Sequence, residues 1–232
     1  MHGWKHFCRT RQGCPAHVSK MKKDSSQDIR LDRLLEEVRA CRVCEKELPF
    51  EPRPVLRAKT SARLLIVGQA PGTRVHETGV PWNDPSGDRL RNWMQVDRAF
   101  FYDESRVAII PMGFCYPGKG RSGDLPPRPE CARQWQAKLL ACLPNIELTL
   151  LIGQYAQRYH IPEAGKSVTD TVKRWQEFAP ANFPTPHPSP RNQLWLKRNP
   201  WFEQELVPEL RRRIREVFPE LPDTRSSDRR GT

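Results

Sequence analysis

Four cysteines stand in two pairs, Cys41-Arg42-Val43-Cys44 ahead of the first expected strand and Cys115 with Cys131 after a later one. A C-x-x-C spacing lets two thiolates share one metal centre, and a second pair brought in by folding completes a four-sulfur cage. Between the pairs lies Gly68-Gln69-Ala70-Pro71-Gly72. Its glycines permit close backbone approach and its proline stiffens the turn, so its amides can hold a base or a phosphate. A His187-Pro188-Ser189-Pro190-Arg191-Asn192 segment follows far downstream. Together these features describe a metal-stapled domain with a small-residue pocket loop.

The elements that must position these residues come from a chain of 232 residues, long enough for one well-buried domain plus terminal extensions. Thirty-nine Lys and Arg against 27 Asp and Glu give a formal charge of +12, which favours a polyanionic partner and puts nucleic acid first. No apolar run approaches the ~20 residues of a membrane span, and the N-terminus lacks the apolar core of a signal peptide. A cytoplasmic monomer with no membrane contact is expected, nucleoid-associated if bacterial. Seven cysteines in a reducing compartment, an odd count, argue against a disulfide framework and for metal binding or burial.

Residues 1–27 are polar without a helical or strand period and read as a tail or a misassigned start, with Met21 as a second plausible start. Within it, Cys8 and Cys14 with His6 and His17 would make a zinc site only if folded; unpaired cysteines are the simpler reading. From Asp28, Leu31, Leu34, Leu35 and Val38 recur at helical spacing, so a first helix ends near Cys41. Four apolar runs read as strands: 64–67, 107–110, 148–152 and a proline-interrupted one at 183–186. Helical patterns at 89–95, 129–142, 154–159, 168–178 and 201–217 alternate with them. That alternation predicts a three-layer α/β/α domain over residues 28–218, with a mostly parallel four-stranded sheet, followed by a flexible tail at 219–232. Ligands then bind at the C-terminal edge of the strands, where both motif loops lie. Cys142 falls on the apolar side of its helix and reads as core.

Gly68-Gln69-Ala70-Pro71-Gly72 resembles the first motif of the uracil-DNA glycosylase superfamily, and His187-Pro188-Ser189-Pro190-Arg191-Asn192 resembles its second, in the form seen in the single-strand-selective branch. Thr78-Gly79-Val80-Pro81-Trp82 followed by Ser86-Gly87 is similar to the segment after the first motif in the iron-sulfur (family four) branch. The resemblance spans roughly residues 29–217. It implies that Cys41, Cys44, Cys115 and Cys131 hold a [4Fe-4S] cluster; four thiolates suit zinc equally, so zinc stays open.

The resemblance further implies a glycosylase that takes a base out of the stack and breaks its bond to C1′ while the departing base carries negative charge. His187 would stabilise that anion, with the Gln69 and Ala70 amides and Gly68 touching the base from the other side. Trp82 would stack on the base, or stand as an ordinary core tryptophan. Ser86 and Gly87, expected just before a helix, would hold a DNA phosphate or simply cap that helix. Ser189 and Arg191 belong to a loop that enters the minor groove, and Lys119, Arg121 and Arg128 are candidates for backbone phosphates.

Three departures bear on activity. Ala70 stands where many members carry an Asp, Gln69 where the iron-sulfur branch has Glu, and Ile110-Pro111-Met112-Gly113-Phe114 where an Asn reads the uracil edge. Asp84, or His76, is the nearby group that could position water. The leading expectation is a monofunctional DNA glycosylase of base excision repair acting on uracil or another deaminated base. The alternative is a non-catalytic binder of nucleic acid or of a modified base. A covalent product trap, which in one branch uses a histidine in an arginine-rich insertion, finds no such insertion here.

Overall fold

The computed structural model describes residues 15–121 and 123–221, with side chains from Ser26 onward. Cys8, Cys14, His6, the side chain of His17 and the segment 225–232 lie outside the described residues. Helix α1 runs Pro15–Arg39 and buries Leu31, Leu34, Leu35 and Val38, the four residues whose spacing marks it. It begins well before Asp28. Residues such as Ala16, Lys20, Met21 and Lys22 favour helix without supplying an apolar face, so propensity extends the helix where periodicity gives no signal.

Strands β1 (Leu64–Val67) and β2 (Val107–Ile109), a two-stranded hairpin of β3 (Lys119–Gly120) and β4 (Gly123–Asp124), and strands β5 (Leu148–Ile152) and β6 (Asn182–Thr185) follow in chain order. The main sheet has the order β2-β1-β5-β6 and is parallel throughout, with Leu65 opposite Ala108 on one side and Thr149 on the other. Leu64 and Ile66 face a core built with Leu90, Trp93, Phe202, Leu210 and Ile214, whereas Leu65 and Val67 face one with Leu31, Val38, Leu139 and Ala156. A strand covered on both faces must be apolar at every position, and β1 is. The result is the three-layer α/β/α arrangement. Pro184 is accommodated because β6 pairs only with β5 and forms an edge.

The helices around the sheet are α2 (Thr73–Thr78), α3 (Pro85–Met94), α4 (Arg98–Tyr102), α5 (Pro129–Cys131), α6 (Ala137–Leu140), α7 (Gly153–His160), α8 (Val168–Lys173), α9 (Gln193–Arg198) and α10 (Val207–Val217). The pattern at 129–142 is one helical stretch in which a π segment, Ala132–Gln136, joins α5 to α6; a second, Phe202–Leu206, leads into α10. Cys142 is buried, as its position on the helix indicates. The pattern at 168–178 breaks at Arg174 and resumes as a 3-10 turn, Trp175–Glu177. Among the described residues no helix is long and apolar enough to cross a membrane.

Helix α3 starts four residues ahead of position 89 because Asp84 caps it: its Oδ1 accepts the Gly87 N–H at 2.8 Å, and Pro85 supplies the preset φ of the first turn. Ser86 and Gly87 therefore lie inside that turn, both buried, and Asp84 takes the capping role. A side chain at Gly87 would begin 1.8 Å from the Trp82 carbonyl oxygen. Gly87→Ala should accordingly cost about 1–3 kcal/mol in urea unfolding and disturb the Trp82 emission, against the gain that alanine normally brings a helix. A pH effect is also expected from His160, whose buried imidazole is pushed down from 6.5 to about 4, with Nε2 unpartnered among the described residues. The unfolded chain binds that proton more readily, so stability should fall as pH drops from 6.5 towards 4. His160→Gln should flatten part of this slope in thermal melts.

Candidate functional site

The end of β1 opens into the Gly68–Gly72 loop, and α2 starts directly after it. Gly68 is required by contact: a Cβ there would stand 2.9 Å from the indole of Trp82. The Gly68 and Gln69 carbonyls accept the Met112 and Gly113 N–H groups, both at 2.9 Å, which fixes the loop to the segment leaving β2. The Gln69 side chain donates from Nε2 to the Leu125 carbonyl at 3.1 Å and so ties the loop to the β3–β4 hairpin. Trp82 adopts a left-handed backbone conformation, φ 55°, uncommon for a large side chain. Its carbonyl accepts from Arg91 Nη1 at 3.2 Å, so the strained residue is held from α3.

His187 lies two residues beyond β6. The Ser189 N–H donates to its Nδ1 at 3.1 Å, and Asn192 Nδ2 donates to its carbonyl at 2.8 Å. Burial holds the imidazole below its ordinary value, partly offset by the Asp84 carboxylate, so the neutral ring dominates at physiological pH. With Nδ1 accepting, the proton of that ring sits on Nε2. Nε2 has no protein partner among the described residues and is not sealed off, which makes it a donor open to the cavity. The ring lies 5.6 Å from that of Trp82, tilted by 33°.

These groups border one cavity of about 620 Å³, the size that takes a small ligand. Gly68, Gln69, Ala70, Trp82, Asp84, Ser86, His187, Ser189 and Arg191 all line it; Gly87 does not, being packed beneath Trp82. Ile109 and Pro111 make an apolar stretch of wall where β2 ends. His76, by contrast, is absent from the lining. Its ring stacks on Phe50 at 5.2 Å and approaches Tyr116, which removes it as a water-positioning group. Arg128 pairs with Glu130 at 2.7 Å and hydrogen-bonds the Cys44 thiol, so it is engaged within the fold, whereas Lys119 and Arg121 are exposed.

Two contributors have no sequence signal of their own. Arg89 on α3 donates to the Ser189 carbonyl at 3.1 Å and to Gln193 Oε1 at 3.0 Å, fastening the second motif to the helix that follows the first. Asp124, at the end of β4, lines the cavity beside Gly72 of the first loop. Only the Gly-Asp turn pattern at 123–124 hints at it.

The four cysteines converge from separate elements: Cys41 just past α1, Cys44 before the 3-10 turn Glu45–Glu47, Cys115 beyond β2 and Cys131 at the end of α5. The Cys115 thiol is pushed up to about 12, first by burial and then by Cys131, Cys41 and Cys44; that of Cys131 is pushed up to about 11, first by burial. Cys44 is raised too, chiefly by burial. Hydrogen bonds from Arg53 to Cys115, Phe114 to Cys131 and Arg128 to Cys44 oppose these shifts. Such donors are what ligating sulfurs receive from their surroundings. Among the described residues no group of three or more His, Cys, Asp or Glu is arranged to hold a metal ion.

Comparison with known proteins agrees with this geometry. Residues 56–211 match the family model for the uracil DNA glycosylase superfamily. The chain is also similar to a type-4 uracil-DNA glycosylase of Sulfurisphaera tokodaii, 22% identical over 173 residues that cover 68% of this chain and 74% of that protein. A parallel sheet whose β1 and β6 ends carry the two motifs around one cavity, and a family match over most of the chain, lead to one conclusion: the chain belongs to the uracil DNA glycosylase superfamily.

Proposed function

We propose that the protein is a monofunctional DNA glycosylase that hydrolyses the bond between C1′ and uracil, or another deaminated base, and leaves an abasic site. One observation carries the proposal: a neutral His187 whose Nδ1 is occupied by the Ser189 N–H, leaving an Nε2–H donor at the cavity. As the glycosidic bond breaks, negative charge gathers on the departing base. A fixed N–H donor in a water-poor pocket stabilises that charge with little reorganisation, the logic of an oxyanion hole. A neutral donor also need not give up its proton for the step to proceed.

The remaining residues bind and orient. Gln69 and Ala70 present backbone amides beside the base, Gly68 leaves room for the indole, and Trp82 offers an aromatic face on which any nucleobase stacks. Ser189 and Arg191 act at the rim, where Arg191 is exposed to a phosphate; the +12 charge strengthens association with DNA. Ser86 lies close enough to contribute a hydroxyl, while Gly87 serves through its absence of a side chain. The apolar wall at Ile109 and Pro111 favours tolerance among deaminated bases over strict reading of the uracil edge. The same wall, with Ala70 in the first motif, is the observation that favours the second reading, a binder of modified bases without turnover.

Cys41, Cys44, Cys115 and Cys131 would hold a [4Fe-4S] cluster, with zinc as the rival. An all-sulfur donor set with hydrogen bonds to three of its thiols fits such a group. Its contribution is structural: it staples the segment from Cys115 to Cys131, which carries the hairpin, to the end of α1.

Purified protein should release base from single- or double-stranded oligonucleotides containing uracil, hypoxanthine or xanthine, revealed by alkaline cleavage at the abasic site. His187→Ala should slow release by about 100-fold or more. Full activity in that variant would remove the assigned role, and binding without release across all the bases would favour the second reading. Metal analysis after anaerobic purification should find about four irons per chain; one zinc would keep the staple but replace the cluster.

A further inference from the structure

The first motif supplies no carboxylate, since Ala70 offers only a methyl group, and Asp84 is committed through Oδ1 to capping α3. Among the described residues lining the cavity one other carboxylate remains, that of Asp124. We propose that Asp124 takes the proton of the attacking water, and that Arg191 is its counter-ion until DNA draws the guanidinium away. The proposal rests on the glycosylase reading above.

Three observations carry it. The hairpin bearing Asp124 is closed at its base by the Leu125 N–H, which donates to the Gly118 carbonyl at 2.8 Å, and is tied to the first motif by Gln69 Nε2, which donates to the Leu125 carbonyl at 3.1 Å. The carboxylate is pressed against the first motif, with Oδ2 only 3.5 Å from where a Gly72 side chain would begin. Arg191 crosses from the second motif to the same hairpin, its Nη1 3.2 Å from where a Gly123 side chain would begin. The hairpin therefore bridges both motifs at the cavity.

No hydrogen bond or close ion pair among the described residues consumes the Asp124 carboxylate. The charged groups facing it are Arg191 from the 187–192 segment, Lys119 from β3 and Asp84 from the start of α3. Burial pushes its pKa up most, Arg191 and Lys119 pull it down, and Asp84 pushes it up again. A carboxylate so placed is a better base than a solvated one. In the reaction the water oxygen bonds to C1′ as the bond from C1′ to the base nitrogen breaks. That electron pair leaves with the base, held by the His187 Nε2–H. The water proton passes to Asp124 and then to solvent, so no further reactant is needed. Because Arg191 is exposed, an incoming phosphate competes for it, and its departure leaves Asp124 more basic when substrate is present.

The test is base release from a single-stranded uracil oligonucleotide over a range of pH, read as the second-order rate with enzyme in excess of DNA but well below saturation, so that the acid limb reports the free protein in which Arg191 still faces Asp124. Wild-type protein should lose rate at acid pH as Asp124 becomes protonated. Asp124→Asn keeps the shape but cannot take the proton, so release should slow by about 100-fold and the acid limb should vanish. Arg191→Gln removes a positive neighbour, so the acid limb should move to higher pH. An Asp124→Asn variant with the wild-type rate and limb would overturn the proposal, as would an Arg191→Gln limb that does not move. If the Asn variant melts early or fails to bind DNA, the Arg191→Gln profile alone decides. Wild-type protein that releases no base would sink the glycosylase reading and this role with it, whereas active wild-type protein with an unimpaired Asp124→Asn would sink this role only.

Discussion

The site depends on the place taken by one indole. Trp82 occupies the space where side chains at Gly68 and Gly87 would stand, and its own backbone is held in a strained left-handed conformation by Arg91. Its contacts fix three things at once: the loop leaving β1, the first turn of α3, and the tilt of the His187 ring. Arg89 then uses α3 to hold the second motif, so two segments more than a hundred residues apart share one support. A donor aimed at a developing charge is useful only if it does not have to move, and this network of close contacts is what keeps it still.

The sheet was legible in the sequence because β1 and β2 are covered on both faces and apolar at each position, and β5 is so at every position but Thr149. The four buried leucine and valine positions of α1 were legible for a related reason, but its start was not, since polar residues of good helix propensity leave no period. The first turn of α3 was hidden because Ser86 and Gly87 read as lying ahead of the helix, and only the hydrogen bond shows Asp84 to be its cap. Both motif loops announced themselves through glycine, proline and histidine. The β3–β4 hairpin did not: with two residues per strand it has no pattern, and Asp124 gains meaning only once the fold brings it to the cavity. His76 and Arg128 show the converse, since nearness in sequence to a motif did not bring them into the site.

The cysteines and the cavity are two ends of one construction. The chain between Cys115 and Cys131 is rich in glycine and proline and forms little regular structure beyond the hairpin, so its position has to be set from its ends. The Gln69 bond to Leu125 does so at one side, and thiols joined through the proposed metal centre would do so at the other. Burial pushes the Cys115 thiol up to about 12 and the Cys131 thiol up to about 11, so on their own they stay protonated; a bound cationic centre would make thiolates of them. The family match spans the sheet, both motif loops, Cys115 and Cys131, with Cys41 and Cys44 just ahead of it.

The most direct test is a crystal structure of the protein with an oligonucleotide carrying 2′-fluoro-2′-deoxyuridine, whose electron-withdrawing fluorine slows loss of the base. The account predicts that the uracil leaves the base stack and enters the cavity, with its face against Trp82 and O2 within hydrogen-bond distance of His187 Nε2. A uracil left outside the cavity, or one enclosed there with His187 Nε2 turned away from it, would contradict the account.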